Sequence, residues 1–307
     1  MSHIKDFIAD LTIGAPMVSG RLTLYPLIKE HSSNPDYLTL DEALAAGFAK
    51  VTEVSEAGSV PELLFRNDGD KPVLLLDGEE LIGAKQNRIL NLTILAPARA
   101  EIKIPVSCVE QNRWGYRARD FRTSDRTYDA RGRAEKVAQV SVSMATVGAP
   151  RASQGSIWAN VAAAASRLRV SSPTAAMSDV YEQHRPRIDP HVERLSAQPR
   201  QVGAIVAVDG KVVGMDVFDA ASTYAKLAPK LLRSYALETA DGAGLGAAPS
   251  DTGKRAVRLL LQEVVAANVQ RFPAVGLGED WRLQASRTKG AALVYGESAI
   301  HVCAFAG

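Results

Sequence analysis

Apolar and polar positions change their period along the chain. Ile4–Leu11 has the spacing of a short helical turn. Arg21-Leu22-Thr23-Leu24-Tyr25-Pro26-Leu27 then alternates as a strand, with Pro26 expected at a sheet edge because it has no N–H to give a neighbour. Thr39-Leu40-Asp41-Glu42 is a capping box: the Thr39 hydroxyl takes one free amide and Glu42 reaches back to another. Leu40, Ala43 and Leu44 form one face of the short helix that follows, and Gly47 ends it. Next comes a block of period two. Phe48–Val54 and Val60–Phe65 alternate, Asn67-Asp68-Gly69-Asp70 is a turn, and Val73–Leu76 is a continuous apolar run. Ile89–Leu95 and Glu101–Val109 are further strands, and in the second Ile102, Ile104, Val106 and Cys108 share a face. Short links between these strands predict an antiparallel sandwich or a barrel-like sheet.

After this block the period becomes helical. Arg113–Arg133 reads as a long surface loop held by Arg–Asp pairs. Ala134–Val147, Ser156–Val170 and a segment from Pro173 to about His184 read as helices, and Pro186, Pro190 and Pro199 as punctuation of a loop. Val202–Val208 and Val212–Val217 flank Asp209-Gly210, a two-residue hairpin signal. Helices at about Ser222–Glu238 and Lys254–Val269 enclose a glycine-rich loop, Asp241–Gly253. Trp281–Arg287, Ala291–Tyr295 and Ala299–Ala304 close the chain as strands able to join either sheet. The expected class is α+β: an antiparallel β-sandwich or barrel-like sheet, made of the N-terminal block plus the C-terminal strands, with helices inserted between about 134 and 270. One integrated domain is expected over 1–307: a β-rich part at 1–112, an Arg-rich loop and helices at 113–200, and a hairpin, helices and closing strands at 201–307.

Composition narrows the class of function. Hydrophobic residues are 46% and charged residues 23%, which excludes a globally disordered chain. Lys and Arg number 36 against 34 Asp and Glu, a net charge of +2, so there is little long-range attraction to nucleic acid or membrane. Two cysteines, Cys108 and Cys303, form no disulfide framework. The start has no signal-peptide pattern, and no apolar run approaches the roughly 20 residues of a membrane span. A cytoplasmic location is expected.

Two polar runs carry the candidate chemistry. Asp77-Gly78-Glu79-Glu80-Leu81-Ile82-Gly83-Ala84-Lys85-Gln86-Asn87-Arg88 mixes carboxylates, cations and amides between strands. Such a mixture suits a polyol, a phosphate or an oxygen-ligated metal, or else a solvated hairpin with self-compensating charge. Gln86 and Arg88 share one strand face, Lys85 and Asn87 the other. The second run is Cys108-Val109-Glu110-Gln111-Asn112-Arg113-Trp114. Here Glu110 is a candidate base and Trp114 a candidate stacking platform, while Cys108 shares an apolar face and reads as an inert thiol. Arg113–Arg133 holds seven arginines against three aspartates, with Trp114, Tyr116, Phe121 and Tyr128 interleaved, a pattern also found in single-strand nucleic-acid grooves. His301 is the only imidazole in the C-terminal strands. With Cys303, His184 and His191 it makes no zinc spacing, so no metal is assigned and the cofactor is unknown. Gly242–Ala248 follows a helix and Asp241, which is not the strand-to-helix context of a dinucleotide loop.

Several strings together resemble a bacterial family of unknown mechanism, named for association with ADP-ribosylglycohydrolases and rhodanese-phosphatases. They are Leu75–Arg88, Ile104–Trp114, Ser153–Trp158, Ser172-Pro173-Thr174, Gly210–Asp219 and Ala299–Phe305. The resemblance covers about Leu22 to Phe305 and implies a role near ADP-ribose or NAD metabolism, beside partner enzymes. It also adds weight to the two polar runs. If they converge in a sheet, Arg88 and Arg113 suit phosphates, with Lys85 and Gln86 beside them, Trp114 suits a base, and Glu80 or Glu110 suits a ribose or a proton transfer. The candidate catalytic residues are Glu80, Glu110 and His301. The candidate ligand-binding residues are Lys85, Gln86, Arg88, Arg113 and Trp114. The leading expectation is a protein that binds, and processes in one version, an ADP-ribose-like or nucleotide-derived small molecule. The alternatives are a non-enzymatic scaffold and single-stranded nucleic-acid binding through Arg113–Arg133. The Ala-rich face of Ser156–Leu168 suits a dimer contact as well as internal packing.

Overall fold

A computed structural model describes residues 2–31, 33–242 and 251–307. The glycine-rich run 243–250 lies outside the described residues. The chain divides into two compact units: Met1–Pro35, Arg187–Ala274 and Gly278–Gly307 form one, Asp36–Pro186 and Val275–Leu277 the other. Elements follow in chain order. The first unit begins with α1 (Ser2–Ala9), β1 (Thr12–Ile13), β2 (Met17–Ser19) and β3 (Leu22–Ile28). The second unit holds β4 (Leu38–Thr39), α2 (Leu40–Ala45), β5 (Ala49–Glu53), β6 (Glu62–Asn67), β7 (Val73–Leu75), β8 (Glu79–Gly83), β9 (Arg88–Leu90), β10 (Ile94–Ala96), β11 (Ala100–Cys108) and β12 (Asp120–Thr127). Helices α3 (Ala130–Val147), α4 (Gln154–Arg167) and α5 (Met177–Arg194) follow, and the last carries the chain back into the first unit. There β13 (Gln201–Val208), β14 (Lys211–Phe218), α6 (Ala221–Ala236), α7 (Asp251–Ala266), β15 (Asn268–Pro273), β16 (Glu279–Gln284), β17 (Thr288–Tyr295) and β18 (Ser298–Ala306) complete it.

The first unit is a nine-stranded antiparallel sheet in the order β1-β3-β13-β14-β18-β17-β16-β15, with β2 also beside β3. The C-terminal strands thus return to the sheet of the 209–210 hairpin. Asp209 and Gly210 both have positive φ, as a two-residue primed turn requires. Pro26 sits in the interior of β3, at a break in its outer ladder: β1 pairs with Leu27 and Ile28, β2 with Leu22–Leu24, and Pro26 gives only its carbonyl, to Gly14 N–H at 2.8 Å. Ile4, Phe7 and Ile8 of α1 and Val257, Leu260 and Val264 of α7 bury against Met215, Val217, Trp281 and Val302.

In the second unit the N-terminal block closes into a barrel, β11-β6-β5-β12-β8-β9. Alternation puts Val51, Leu63, Phe65, Leu81, Ile104 and Phe121 in its core, and β7 and β10 add Val73, Leu75 and Ile94. The capping box at Thr39 is formed, with Thr39 N–H 2.9 Å from Glu42 Oε2.

Three expectations are corrected. Arg113–Arg133 is not a surface loop, because β12 crosses it as a barrel strand and α3 begins at Ala130. A register shift between Thr123 and Thr127 breaks its alternation, which hides a strand that is already polar. Helix α5 runs through Pro186 and Pro190. These prolines are four apart, so the N–H missing at Pro190 and the carbonyl left at Pro186 belong to one lost bond, and buried Val180, Tyr181 and Ile188 hold the helix. The run 77–88 is not a solvated hairpin but is buried nearly throughout, with β8 inside it.

Gly83 has φ +143, and a Cβ there would stand 2.5 Å from Asp120 O, across the barrel seam. Gly83→Ala is expected to destabilise the barrel unit by about 1–3 kcal/mol or more in a denaturant titration. Gly155→Ala, where the nearest atom is 4.0 Å away near the start of α4, should leave the midpoint unchanged or slightly raised.

Candidate functional site

The two polar runs meet at one end of the barrel, and Arg113 joins them. Its Nη1 donates to Ala84 O at 2.7 Å and Gly115 O at 2.9 Å, and its Nη2 to Glu110 Oε2 at 2.6 Å and Asn87 Oδ1 at 3.1 Å. Glu110 Oε2 also accepts from Asn87 N–H at 3.1 Å, and Glu110 O accepts from Gln86 Nε2 at 2.9 Å. Burial pushes the Glu110 carboxyl up, but the bonds from Arg113, Thr174 and Asn87 N–H outweigh it and hold the group below the usual carboxylate range. Within the first run the backbone is strained: Ala84 has φ +35, a conformation L residues rarely adopt, and its carbonyl is among those Arg113 holds.

That turn sends alternate side chains to opposite sides. Gln86 and Arg88 go inward. Arg88 Nη1 donates to Gln86 Oε1 at 2.7 Å and contacts Cys108 Sγ, and the thiol donates to the same oxygen at 3.0 Å. Burial pushes the Cys108 thiol up to about 11, so it is not a ready nucleophile at neutral pH. Glu53 of β5 also points inward, in the same register as Val51. Its Oε1 accepts from Lys85 N–H at 3.4 Å and lies 3.9 Å from Arg88 Nη2.

Lys85 goes outward. Its Nζ lies 5.3 Å from the Trp114 ring centre and 5.1 Å from that of Tyr116. It donates to Glu56 O and, at 2.8 Å, to Ala57 O. Arg88 Cζ is 5.7 Å from the Trp114 ring, so Arg88 and Trp114 share one end of the barrel. Trp114 and Tyr116 are 50% and 51% exposed, which is unusual for large aromatic side chains with no partner surface. A cleft of ≈ 700 Å³ opens at this end, lined by Lys50, Glu53, Ser55, Glu56, Tyr116 and Arg119 among others.

The remaining sequence candidates lie apart from this group. Glu80 faces Arg126, whose Nε is 3.2 Å from Glu80 Oε2 and whose Nη2 donates to Glu182 Oε1 at 2.6 Å. His301 belongs to the nine-stranded sheet of the first unit. There its Nε2 is 3.2 Å from Asp216 Oδ1, its ring stacks on Phe218, and Tyr235 Oη donates to Asp216 Oδ2 at 3.0 Å. Of the aromatics interleaved with arginine, Phe121 and Tyr128 are buried, and Arg126 and Arg133 are buried in ion pairs. Among the described residues no group of His, Cys, Asp and Glu is placed to hold a metal ion, and no helix is long and apolar enough to cross a membrane.

Sequence reasoning missed Glu53, Arg119 and a buried cluster in which Asp77 binds Lys136 and lies 3.4 Å from Arg133 Nε. For Glu53 a signal existed: within Phe48–Val54 it is a carboxylate at the parity of Val51, an inward position.

Two consequences are measurable. Arg113→Ala takes from the buried Glu110 carboxylate its hydrogen-bonded cation, leaving only the exposed Arg117, whose Nη2 is 3.6 Å from Oε1, and is expected to destabilise the fold by about 3–5 kcal/mol near neutral pH. Because the folded value for Glu110 lies below its unfolded one, its contribution is present above the unfolded carboxylate range and fades as pH falls through it. The deficit should therefore narrow in denaturant titrations taken from about pH 7 to about pH 4. Glu80 has the opposite sign, since burial pushes its carboxyl up to about 7 against the pull of Arg126. Stability should fall as pH rises through that value, and Glu80→Gln, which keeps the shape without the charge, should remove the fall. A steeper alkaline decline in the variant would contradict the assignment.

A family model described as "ARPP-1: ARG and Rhodanese-Phosphatase-superfamily-associated Protein domain" matches residues 10–305. No curated protein and no solved structure matches the chain. With the match running from the first short strands to the end of β18, the chain belongs to the ARG and rhodanese-phosphatase-superfamily-associated protein family.

Proposed function

We propose that the protein binds a nucleotide-derived, ADP-ribose-like small molecule at the mouth of the barrel. The observation that carries this reading is the pairing of Trp114 and Tyr116, both half exposed, with Lys85 between them, Arg88 beneath and a ≈ 700 Å³ cleft alongside. The volume is in the range of small-molecule sites. Exposed aromatic faces stack on a base, and Arg119 and Lys50 at the rim supply cations for phosphate oxygens. The family's link by name to ADP-ribosylglycohydrolases favours ADP-ribose chemistry among nucleotide derivatives. On this reading Glu110 does not touch the ligand. It is engaged by Arg113 and Asn87 and positions the turn that presents Lys85.

Thermal unfolding against ADP-ribose, NAD, AMP and ribose phosphates tests the proposal. A ligand at about 100 times its Kd adds roughly 2.7 kcal/mol, seen as a rise of a few degrees in Tm. The rise should disappear in Trp114→Ala and in Arg119→Ala, two surface changes that leave the core intact. A panel without any shift would overturn the ligand reading in favour of a module that acts by binding the associated enzymes.

A further inference from the structure

Beneath the mouth, a buried acid and a buried base stand open toward each other. Glu53 Oε2 accepts from no donor, and Arg88 Nε and Nη2 give to no acceptor, although the two side chains are 3% and 0% exposed. Their closest approach, Arg88 Nη2 to Glu53 Oε1, is 3.9 Å, beyond hydrogen-bonding distance. Buried carboxylate–guanidinium pairs normally close to a short, often bidentate contact, because each group left unsatisfied is expensive. Here both are tethered elsewhere. Gln86 and Cys108 hold Arg88 Nη1, and Lys85 N–H holds Glu53 Oε1.

A group that satisfies both must accept from a guanidinium N–H and donate to a carboxylate. A hydroxyl does both. A phosphate only accepts and would be repelled by Glu53, and an exocyclic amine of a base only donates. Glu53 lines the cleft, and Arg88 lies behind it, 3.9 Å away and fully buried. The chain segment 55–58 runs over it. Gly58, at φ +78, comes so close that a Cβ there would stand 3.2 Å from Lys85 Cδ, 3.3 Å from Trp114 Cζ2 and 3.5 Å from Glu53 Oε2. That segment is held by Lys85 Nζ at two carbonyls and by Tyr116 Oη, which donates to Glu56 O at 3.3 Å. The holding groups are thus mouth residues, and an anion that draws Lys85 away loosens the cover.

We propose that Glu53 and Arg88 recognise adjacent hydroxyls of the ligand, a ribose or similar polyhydroxyl group, reached when segment 55–58 lifts. This rests on the reading of the barrel mouth as a ligand site and adds which part of the ligand goes deepest. Glu53 is then the residue that separates ribose from deoxyribose.

Isothermal titration of the full chain tests it, with ADP-ribose, with AMP against 2′,3′-dideoxy-AMP, and with ribose 5-phosphate against 2-deoxyribose 5-phosphate. The wild type is expected to bind the hydroxyl-bearing member of a pair at least about tenfold tighter, as loss of a bond to a charged group implies. Discrimination in both pairs identifies the sugar phosphate as sufficient, and discrimination in the AMP pair alone identifies a nucleoside. Glu53→Gln should weaken ADP-ribose about tenfold and bring the ratio near one while leaving the deoxy form unchanged. Equal wild-type affinity within both pairs overturns the hydroxyl assignment and leaves a bridging water as the occupant, with the ligand reading intact. Absence of binding by ADP-ribose and by every member of the panel overturns both.

Discussion

The barrel end depends on one buried guanidinium. Arg113 binds two side chains and three nearby carbonyls from a single planar fork, and so welds the chain at 83–87 to the chain at 110–115. A lysine has the charge but not the geometry, since its donors radiate from one atom and cannot span acceptors on separate segments. Desolvating an arginine is unfavourable unless its donors are met, and here the Glu110 carboxylate supplies the counter-charge. The strained Ala84 is kept by this clamp. It is also what reverses the side-chain sequence, sending Lys85 to the aromatic mouth while Gln86 and Arg88 turn into the barrel. With the turn so held, Lys85 and Arg88 lie 5.3 and 5.7 Å from the Trp114 ring.

Support for the clamp comes from segments far along the chain. Gln154, at the start of α4, bonds the backbone of Cys108 from both ends of its amide, donating to Cys108 O and accepting from Cys108 N–H, each at 2.8 Å. This imitates a neighbouring strand where β11 runs out. Thr174 takes up Asn112 N–H through its carbonyl at 3.0 Å and bonds the Glu110 carboxyl through its side chain. The strings Ser153–Trp158 and Ser172-Pro173-Thr174, which carry part of the family resemblance, thus back the strings Leu75–Arg88 and Ile104–Trp114. Four separated pieces of sequence serve one polar end of a barrel.

Much of this is legible in the sequence. Alternation located most of the barrel strands, the Thr39–Glu42 box was read atom for atom, and Asp209-Gly210 marked its hairpin. The places of the two polar runs on neighbouring strand regions left it open whether they converge; the hydrogen bonds of Arg113 bring them together. What was hidden had physical causes. Strand β12 carries Arg122 outward by ordinary alternation, while its register shift falls at Asp125 and Arg126, of which Arg126 is buried against Glu80, so polarity there says nothing about exposure. The prolines of α5 break local propensity that burial then overrides. Buried charge is invisible to a hydropathy pattern, and for that reason the run 77–88 looked like surface.

The same blindness bears on what the barrel end is for. Asp77, Glu80, Arg88, Glu110, Arg126 and Lys136 are all buried, and buried charges are weak evidence for cohesion, since well-packed apolar residues of similar volume often hold a core as firmly. Charges on the inside therefore argue for something other than cohesion. At Glu110 the argument ends in geometry, because its partners account for the charge and the product is a shaped turn. At Glu53 and Arg88 the charges face each other at 3.9 Å but their hydrogen bonds are incomplete, since Glu53 Oε2 and Arg88 Nε and Nη2 stay open although each group is anchored elsewhere. A fold that positions two opposite charges and stops them short of contact has fixed the chemistry of whatever lies between them, a group able to give and take a hydrogen bond at once.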